Sequence, residues 1–566
     1  MKKLSRAQRF FFPIVFGTLA ASVAVAVSSA SNSRVTITLL STTDSHGHIG
    51  PWDYYANKPA DLGLAKLETL VKEQRAEAPD ALLLDCGDTI EGTPLAYYFA
   101  VKDKSFPNPE IAVFNAMHYD AMAVGNHEFN FGETVMWKAK SESSFPWLAA
   151  NIRQTYTEGV PYIRPYIIKN VRGVRIGIVG FVTTGVPRWE IPDHYKGYEF
   201  VPIVESAKEI IPQVRKQVDL LVVIMHSGLD RDPKTGEMES DQISGENAAW
   251  ELAEQVPEID VIFYGHTHQE MPELLVNGVL MAQAKNWGIS LARADVNMSR
   301  NGAKKWTVVS KRSWTIPVTP ETVADPEIMR IAAPYHEATQ KYLDTPIAYS
   351  SKQLSGEDER YDDGPLVTLI NKVQMEAGHA DVSLATMFYP GTIIPKGPVT
   401  VRQAAALYTY ENALYVVKMR GEQLKDALEH AASFYPFWPP SPGQKLALPG
   451  YNADSALGVS YEIDLTKPVG DRIRNLRFEG KPLAPDRELR VAVNNYRYTG
   501  GGRYKVYQGL PIVYRSPEGI RDLLIAYLQR TGKIPDESDG NWKIIPRDAV
   551  SAMEVQAAKD SESKNH

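Results

Sequence analysis

Aspartate, asparagine and histidine residues follow five short apolar runs in the first half of this 566-residue chain. The runs and the polar residues after them read VTITLLSTTDSH, LLLDCGD, AMAVGNHE, LLVVIMHSG and VIFYGHTH. Carboxylate, imidazole and amide oxygen together suit borderline divalent metals such as Zn²⁺ and Mn²⁺. The candidate ligands are Asp44, His46, Asp88, Asn126, His226, His266 and His268. A lone D-x-H reads more simply as a capping aspartate and a surface histidine, so the signal is the ordered set.

The number of candidate ligands indicates more than one ion. Seven groups exceed the four positions of a tetrahedral site. They suit two ions about 3.5–4 Å apart that share one carboxylate, an arrangement used for in-line attack at phosphorus. The expected cofactors are therefore two divalent metal ions, zinc, manganese or similar.

The five runs must be strands if these residues are to meet. Their apolar residues are continuous rather than alternating, as in strands buried on both faces. Segments between them, such as LGLAKLETLVKEQRAEA, have a helical period. This alternation predicts an α/β layered domain over residues 34–318. Ligands gather at the carboxyl ends of strands in open α/β sheets, so these residues can converge although they are far apart in sequence.

The rest of the chain divides into three further parts. Residues 319–345 begin with proline punctuation and predict a linker helix. A second apolar-patterned region covers 346–548, with a helix in VRQAAALYTY, a strand in ALYVVKM and a helix in GEQLKDALEHAASFY. The polar tail, 551–566, is expected to lack regular structure.

The first 30 residues have a basic start, an apolar run over 10–27 and small residues at the end. This pattern predicts a secretory signal peptide and a periplasmic or secreted protein without stable membrane association after cleavage. An uncleaved anchor is the alternative, because 18 residues nearly span a bilayer. The net charge of −7 argues against a nucleic-acid duplex as partner. The single cysteine, Cys86, excludes an internal disulfide.

The ordered motifs D-x-H, G-D, G-N-H-E, H-x-G and G-H-x-H resemble those of calcineurin-like metallophosphoesterases. The second region resembles the C-terminal domain of bacterial 5′-nucleotidases. The segment LYTYENALYVVKMRGEQLKDALEHAASFY is most similar to the branch that includes 2′,3′-cyclic-nucleotide phosphodiesterase/3′-nucleotidase. The resemblance implies an α/β fold, α+β overall, in which a four-layer α/β/β/α metallophosphoesterase domain precedes an α/β substrate-binding domain.

The resemblance also implies roles for the candidate residues. Two ligand sets share Asp88: one is Asp44, His46, Asp88 and His268, and the other is Asp88, Asn126, His226 and His266. His127 would face the scissile phosphate as a general acid, and a metal-bound hydroxide would attack phosphorus. Two aromatic rings would hold the base of a small nucleotide, with Tyr496 in NNYRYTGGG matching one position and Tyr451 the other. His48 and Cys86 are expected to have no direct role.

Two features depart from the family pattern. Asn130 stands where many 5′-nucleotidases have an aspartate paired with the catalytic histidine; an asparagine can orient His127 but cannot stabilise its cation by charge. An arginine motif for phosphate is also missing, and the nearest cations, Lys396 and Arg402, fit a surface role slightly better.

The predicted function is a secreted phosphoesterase that acts on nucleotides, as a 5′-nucleotidase or as a 2′,3′-cyclic phosphodiesterase/3′-nucleotidase. The same metal chemistry on a sugar nucleotide or another non-nucleotide substrate, including a thiosulfohydrolase-like role, is the first alternative. A non-catalytic binding protein is the second, and an intact ligand set speaks against it.

Overall fold

The computed structural model describes residues 32–154, 162–238, 245–301, 305–440 and 452–564. The predicted signal peptide at 1–30 and Tyr451 lie outside the described residues. Among the described helices, none is long and apolar enough to cross a bilayer.

Two six-stranded sheets form the first domain. The first has the spatial order Thr307–Pro317, Ser290–Asn301, Asn32–Thr42, Leu82–Asp85, Ala121–Ala123 and Trp147–Leu148. The second has the order Met271–Val276, Val279–Gln283, Val261–Tyr264, Leu220–His226, Val174–Val182 and Tyr166–Val171. Within each sheet, four consecutive strands run parallel. The strands predicted from the apolar runs are all confirmed.

The two sheets pack face to face, and helices cover both outer faces. Ile37 and Leu84 of the first sheet share one buried cluster with Ile178 and Val222 of the second. The helices Leu64–Glu77, Pro109–Met117 and Gly132–Glu142 cover the first sheet, and Ile203–Arg215 and Ala249–Gln255 cover the second. This confirms the four-layer α/β/β/α architecture. Because both faces of each sheet are covered, the strands read as continuous apolar runs.

The predicted connector contains the helix Pro326–Leu343, which begins with Asp325 as its N-cap. The side chain of Asp325 accepts hydrogen bonds from the backbone N–H groups of Glu327 at 3.0 Å and Ile328 at 3.2 Å. Buried residues of this helix, including Ile328 and Leu343, join the core beneath the first domain's helices. The connector is therefore packed against the first domain rather than free in solvent.

The second region contains a five-stranded and a four-stranded sheet. The five-stranded sheet has the order Ser455–Leu457, Val382–Ala385, Glu488–Asn494, Ala413–Arg420 and Ile512–Gly519. The four-stranded sheet has the order Lys481–Pro482, Ile473–Phe478, Val459–Asp464 and Trp542–Ile545. The helices of the second region are Pro365–Gly378, Val401–Ala406, Gly421–Ala432, Asn495–Tyr498, Ile520–Thr531 and Arg547–Lys564. The fold of this region agrees with the predicted α/β class.

The tail differs from its prediction. The helix Arg547–Lys564 covers most of the segment that was expected to lack regular structure from residue 551. Ala549, Val550 and Met553 of this helix are buried in the core of the second region. The spacing of Ala549 and Met553 places them on one face of a helix. Three small or medium apolar residues therefore anchor a segment whose overall composition is polar.

Candidate active site

The seven candidate ligands all follow or end parallel strands at one edge of the two sheets. Asp44 and His46 come after Asn32–Thr42, Asp88 comes after Leu82–Asp85, and His226 ends Leu220–His226. Since parallel strands carry their carboxyl ends to the same edge, the loops from both sheets meet there. The structure therefore brings together side chains that are more than 200 residues apart.

The ligands form two groups. In the first, the donor atoms of Asp44, His46 and His268 lie within 4.8 Å of one another, and in the second those of Asp88, His226 and His266 do. The two Nε2 atoms of His46 and His268 are 2.9 Å apart. Asp88 lies between the groups, with Oδ2 2.8 Å from Nε2 of His226 and 3.9 Å from Nε2 of His46.

Several observations show that this donor set fits divalent ions. Oδ1 of Asn126 is buried and makes no hydrogen bond to the described residues. Burial alone would raise the pKa of the Asp88 carboxyl, but the imidazoles around it hold that pKa well below its usual range. Burial would likewise lower the pKa of His226, but Asp88 raises it to about 9. The carboxylates thus stabilise positive charge at this place. Divalent metal ions can supply that charge instead of the protons on the imidazoles.

The backbone of the ligand loops is held in an uncommon conformation. Five of the seven ligands have a left-handed φ between 46° and 78°: Asp44, His46, Asp88, His266 and His268. Non-glycine residues in this region cluster at functional sites, where the surrounding structure imposes the strain. The backbone at Gly125 approaches Asp88 closely, because a Cβ at this position would lie 2.2 Å from Oδ1 of Asp88. The backbone conformation of these loops is thus linked to the placement of the ligand side chains that they carry.

His127 lies beside these groups and faces the cleft, with a third of its side chain exposed. Its Nε2 is 3.8 Å from Oδ2 of Asp88, and its Nδ1 contacts Oδ1 of Asn130. Oε2 of Glu91 is 3.0 Å from the same Nδ1. Burial would lower the pKa of His127, but the carboxylates of Asp88 and Glu91 raise it well above its usual value. Glu91 therefore supplies the charge that Asn130 lacks.

Glu91 was not predicted from the sequence as a partner of His127. Glu91 lies in the segment GDTIEG, three residues after the predicted bridging aspartate. A glutamate so close to a predicted metal ligand was the only local sign that it could contact the site. Glu246 was missed as well; its Oε1 is 3.2 Å from Nε2 of His266. Trp189 and Trp287 were also missed, and their rings lie 5.3 Å from His266 and 6.5 Å from His268. These contacts are between distant segments and have no local sequence pattern.

A single cleft of about 1730 Å³ joins the ligand groups to the second region. Its walls in the second region include Tyr496, Tyr410 and Phe434 and the cations Arg503 and Lys505. Tyr496 is half-buried and packs against Gly501, where a Cβ would lie 2.5 Å from the ring. The cleft therefore has an aromatic wall opposite the ligand groups. Tyr451 lies outside the described residues.

The residues expected to have no direct role have structural contacts. Cys86 is fully buried, and its carbonyl oxygen is 2.9 Å from Nδ1 of His226. His48 is half-buried and stacks on Trp287 at 5.0 Å, and burial lowers its pKa to about 4. Arg402 is buried and donates to the carbonyl oxygen of Tyr54, so the surface role predicted for it is wrong. Lys396 is exposed, as predicted, and is not among the residues that line the cleft. Neither of these two cations contributes to the cleft.

Comparisons with known proteins agree with this fold. Residues 37–270 match the family model of calcineurin-like phosphoesterases, and residues 344–509 match that of the 5′-nucleotidase C-terminal domain. A 2′,3′-cyclic-nucleotide 2′-phosphodiesterase/3′-nucleotidase of Haemophilus influenzae is 31% identical, over 93% of this chain and 90% of that protein. A 5′-nucleotidase of Vibrio cholerae is 26% identical, over 83% of this chain and 85% of that protein.

Solved structures show the same fold. A Staphylococcus aureus protein described as a candidate 5′-nucleotidase superposes with a TM-score of 0.78 at 24% identity, covering 90% of this chain and all of that one. The sulfate thiohydrolase SoxB of Thermus thermophilus superposes with a TM-score of 0.57 at 21% identity, covering 90% of this chain and 97% of that one.

The fold and the family models define a metal-dependent phosphoric ester hydrolase of the calcineurin-like class. Within that class, the chain belongs to the bacterial 5′-nucleotidase and 2′,3′-cyclic-nucleotide 2′-phosphodiesterase family, in which this domain is followed by a 5′-nucleotidase C-terminal domain.

Proposed function

We propose that the chain hydrolyses nucleotides at a pair of divalent metal ions, with 2′,3′-cyclic and 3′-nucleotides as its preferred substrates. The observation that carries the proposal is the single cleft that holds both ligand groups and the aromatic wall of the second region. The similarity of almost the whole chain to a 2′,3′-cyclic-nucleotide 2′-phosphodiesterase/3′-nucleotidase supports this choice of substrate.

Asp44, His46 and His268 would hold one ion, Asn126, His226 and His266 the other, and Asp88 would be shared. Imidazole and carboxylate donors favour zinc or manganese over magnesium or calcium. Bound ions would polarise the phosphoryl oxygens and lower the pKa of water toward neutrality. The position of Asp88 between the two groups supports its role as the shared ligand.

His127 would act as the general acid for the leaving oxygen. Its Nδ1 is engaged by Asn130 and lies 3.0 Å from Glu91, so Nε2 is the atom that can carry a proton into the cleft. The carboxylate of Glu91 favours the protonated ring, as the role requires. A side chain that donates a proton in this way contributes typically about 10²–10⁴-fold to the rate.

Tyr496 would stack on the nucleobase, with Tyr451 as the candidate for the second ring. A base stacked on an aromatic side chain gains about 1–3 kcal/mol, largely irrespective of its identity. Arg503 and Lys505 line the same part of the cleft and are suited to the negative charge of the substrate.

We also propose that the protein is exported to the periplasm or secreted, with residues 1–30 as the signal. The basic start, the apolar run and the small residues that end it support this proposal. Cell fractionation of the full chain beside a variant without residues 2–30 tests it. Equal distribution of the two proteins would contradict export by this segment.

A substrate panel with metal analysis tests the proposed reaction. The purified chain is assayed with 2′,3′-cAMP, 3′-AMP, AMP, a sugar nucleotide and an organic thiosulfonate, in parallel with Zn²⁺ and Mn²⁺. We expect the highest kcat/KM on 2′,3′-cAMP or 3′-AMP and about two ions per chain. Preference for the sugar nucleotide or the thiosulfonate would assign the site to those alternatives, and inactivity with full metal content would favour a binding protein.

The His127→Ala variant tests the acid. We expect kcat to fall by about 10²–10⁴-fold with the metal content unchanged. Loss of metal in this variant would identify His127 as a ligand instead.

A further inference from the structure

Glu190 is a buried carboxylate behind His127 that the proposed reaction does not use. Only 7% of its surface is exposed. Its Oε1 accepts a hydrogen bond from Nδ2 of Asn130 at 2.7 Å, and its Oε2 lies 2.7 Å from Nδ1 of His194. His127, Asn130 and Glu190 thus form a continuous chain of contacts that begins in the cleft and ends at a carboxylate.

The carboxylate determines which way the Asn130 amide points. An ionised carboxylate only accepts hydrogen bonds, whereas an asparagine amide has a donating and an accepting end. The NH₂ group of Asn130 must therefore face Glu190, and Oδ1 must face Nδ1 of His127. An oxygen at that place accepts from Nδ1–H, so the proton that His127 gives and takes is the one on Nε2.

The opposite orientation would work against the proposed acid. A flipped amide would direct its NH₂ group at Nδ1 of His127, where it cannot accept from Nδ1–H. Glu91 would still lie 3.0 Å from Nδ1, but the ring would lose the contact that sets its angle toward the cleft. Charge and orientation are thus supplied by different residues, Glu91 and Asn130.

The segment that carries Glu190 is itself anchored to the second region. Glu190 follows the short helix Val186–Trp189. The carbonyl oxygen of Trp189 accepts a hydrogen bond from Nδ2 of Asn495, the neighbour of Tyr496. The backbone next to Glu190 is therefore fixed by a residue of the second region.

We propose that Glu190 is a positioning residue, which holds the Asn130 amide so that His127 keeps its proton-carrying Nε2 toward the substrate. This inference rests on the proposed role of His127. It assigns the task of orienting His127 to an asparagine–glutamate pair.

A double-mutant cycle tests the proposal, with Glu190→Ala, Asn130→Asp and the two combined. Glu190→Ala should lower kcat by about 10-fold or more, within the range of a lost general acid, and change KM by less than about 3-fold. Both oxygens of an aspartate accept, so no flip can occur in the Asn130→Asp background. There, Glu190→Ala should change kcat by less than about 2-fold or raise it, because two facing carboxylates are no longer opposed.

Conservative and control variants separate orientation from folding. Glu190→Gln keeps an oxygen for Asn130 and should retain kcat within about 3-fold, and Glu190→Leu, which fills the space, should behave like Glu190→Ala. Asp193→Ala removes an exposed carboxylate three residues away and serves as the matched control. Metal content and thermal midpoint are measured for every variant, so that a folding defect shows in them.

The outcomes distinguish this inference from the proposed function. An equal loss of kcat from Glu190→Ala in both backgrounds, or a normal kcat in Glu190→Ala and Glu190→Leu, would overturn the positioning role while His127→Ala stays inactive. A normal kcat in His127→Ala would instead overturn the assigned acid, and the positioning role with it.

Discussion

The carboxylate of Asp88 lies at the centre of the candidate site. It is almost fully buried, and it contacts His226 at 2.8 Å while facing His46 and His127 at less than 4 Å. Its Oδ1 accepts from the backbone N–H of His127 at 2.8 Å. One residue therefore connects both ligand groups to the loop that carries the proposed acid.

The Asp88→Asn variant should lose both bound metal and activity. An amide has one oxygen and no charge, so it cannot bridge two cations. We expect metal content to fall below two ions per chain and kcat on 2′,3′-cAMP to fall by at least about 10³-fold, because this change affects the bound ions as well as the loop that carries the acid. Elemental analysis and steady-state kinetics measure this. Asp80→Asn, at an exposed position in the same domain, is the control, and near-normal turnover with two ions in Asp88→Asn would exclude the bridge.

Tyr496 lines the part of the cleft that the second region forms. If it stacks on the base, Tyr496→Ala should raise KM and leave kcat nearly unchanged, because base and transition state are then held equally. A loss of about 1–3 kcal/mol lowers kcat/KM for a nucleotide by roughly 5- to 150-fold. Hydrolysis of p-nitrophenyl phosphate by the same metal-loaded preparation should barely change. Equal kcat/KM on the nucleotide for both proteins would remove Tyr496 from the site.

At the scale of the elements, two ligand loops are tied together by one glutamate. Glu128 is fully buried and accepts hydrogen bonds from the backbone N–H groups of Asp88 at 3.0 Å, Thr89 at 2.7 Å and Gly125 at 2.6 Å. These donors belong to the loops after two neighbouring strands of the first sheet. The final residue of the G-N-H-E motif thus has an architectural task that explains its place beside His127.

The helix Pro109–Met117 carries a fully buried carboxyl group, Glu110, whose pKa burial raises to about 8. A folded-state pKa above the unfolded value means that folding binds a proton. The stability from the protonated group is therefore complete below about pH 4.5 and is lost as the pH rises toward 8. Glu110→Gln removes this dependence. The free energy of unfolding of the variant relative to wild type should rise by about 1.4 kcal/mol per pH unit in that window.

Denaturant unfolding at several pH values between 4.5 and 8 measures this difference. Glu258→Gln, at an exposed position in the same domain, is the matched control. A pH-independent difference for Glu110→Gln would show that Glu110 titrates normally in the folded protein.

At the scale of the whole molecule, the two regions are joined by a buried arginine. Arg521 of the second region is 3% exposed and donates to the hydroxyl oxygen of Tyr55 at 3.0 Å. Its guanidinium lies 4.8 Å from the ring centre of Tyr97 and pairs with Glu411. Tyr55 and Tyr97 belong to the first domain, so this side chain helps to fix the width of the cleft.

Arg521→Met should destabilise the folded protein. It should also weaken the contact that holds the two walls of the cleft at a fixed distance. Removing one partner of a buried ion pair costs about 3–5 kcal/mol, here through the charge left on Glu411. We expect kcat/KM on nucleotides to fall more than that on p-nitrophenyl phosphate, which has no nucleobase for the second region to bind. Arg530→Met, at an exposed position of the same helix, is the control. Equal losses on both substrates would contradict a role in setting the cleft.

Much of this organisation could be predicted from the sequence. The apolar runs revealed the buried strands, and strand ends in a parallel sheet meet, so the seven ligand candidates were found without a structure. Glu91 and Glu190 were not found as partners of His127 and Asn130, because contacts between loops leave no periodic signal. The helix Arg547–Lys564 was missed because its few apolar residues are diluted by polar ones. The roles of Tyr451 and Tyr496 in base binding remain predictions.

The left-handed backbone at five of the ligands has an evolutionary consequence. Only glycine, asparagine and aspartate adopt this conformation readily, and for other residues it costs roughly 1–2 kcal/mol each. A descendant that no longer needed the ions would be free to replace Asp44, His46, Asp88, His266 and His268, but not with any residue. The strain at His46, His266 and His268 would be relieved by glycine, asparagine or aspartate, so an inactive relative should carry one of these residues at those three positions. Loss of the chemistry would thus leave a recognisable trace in the sequence.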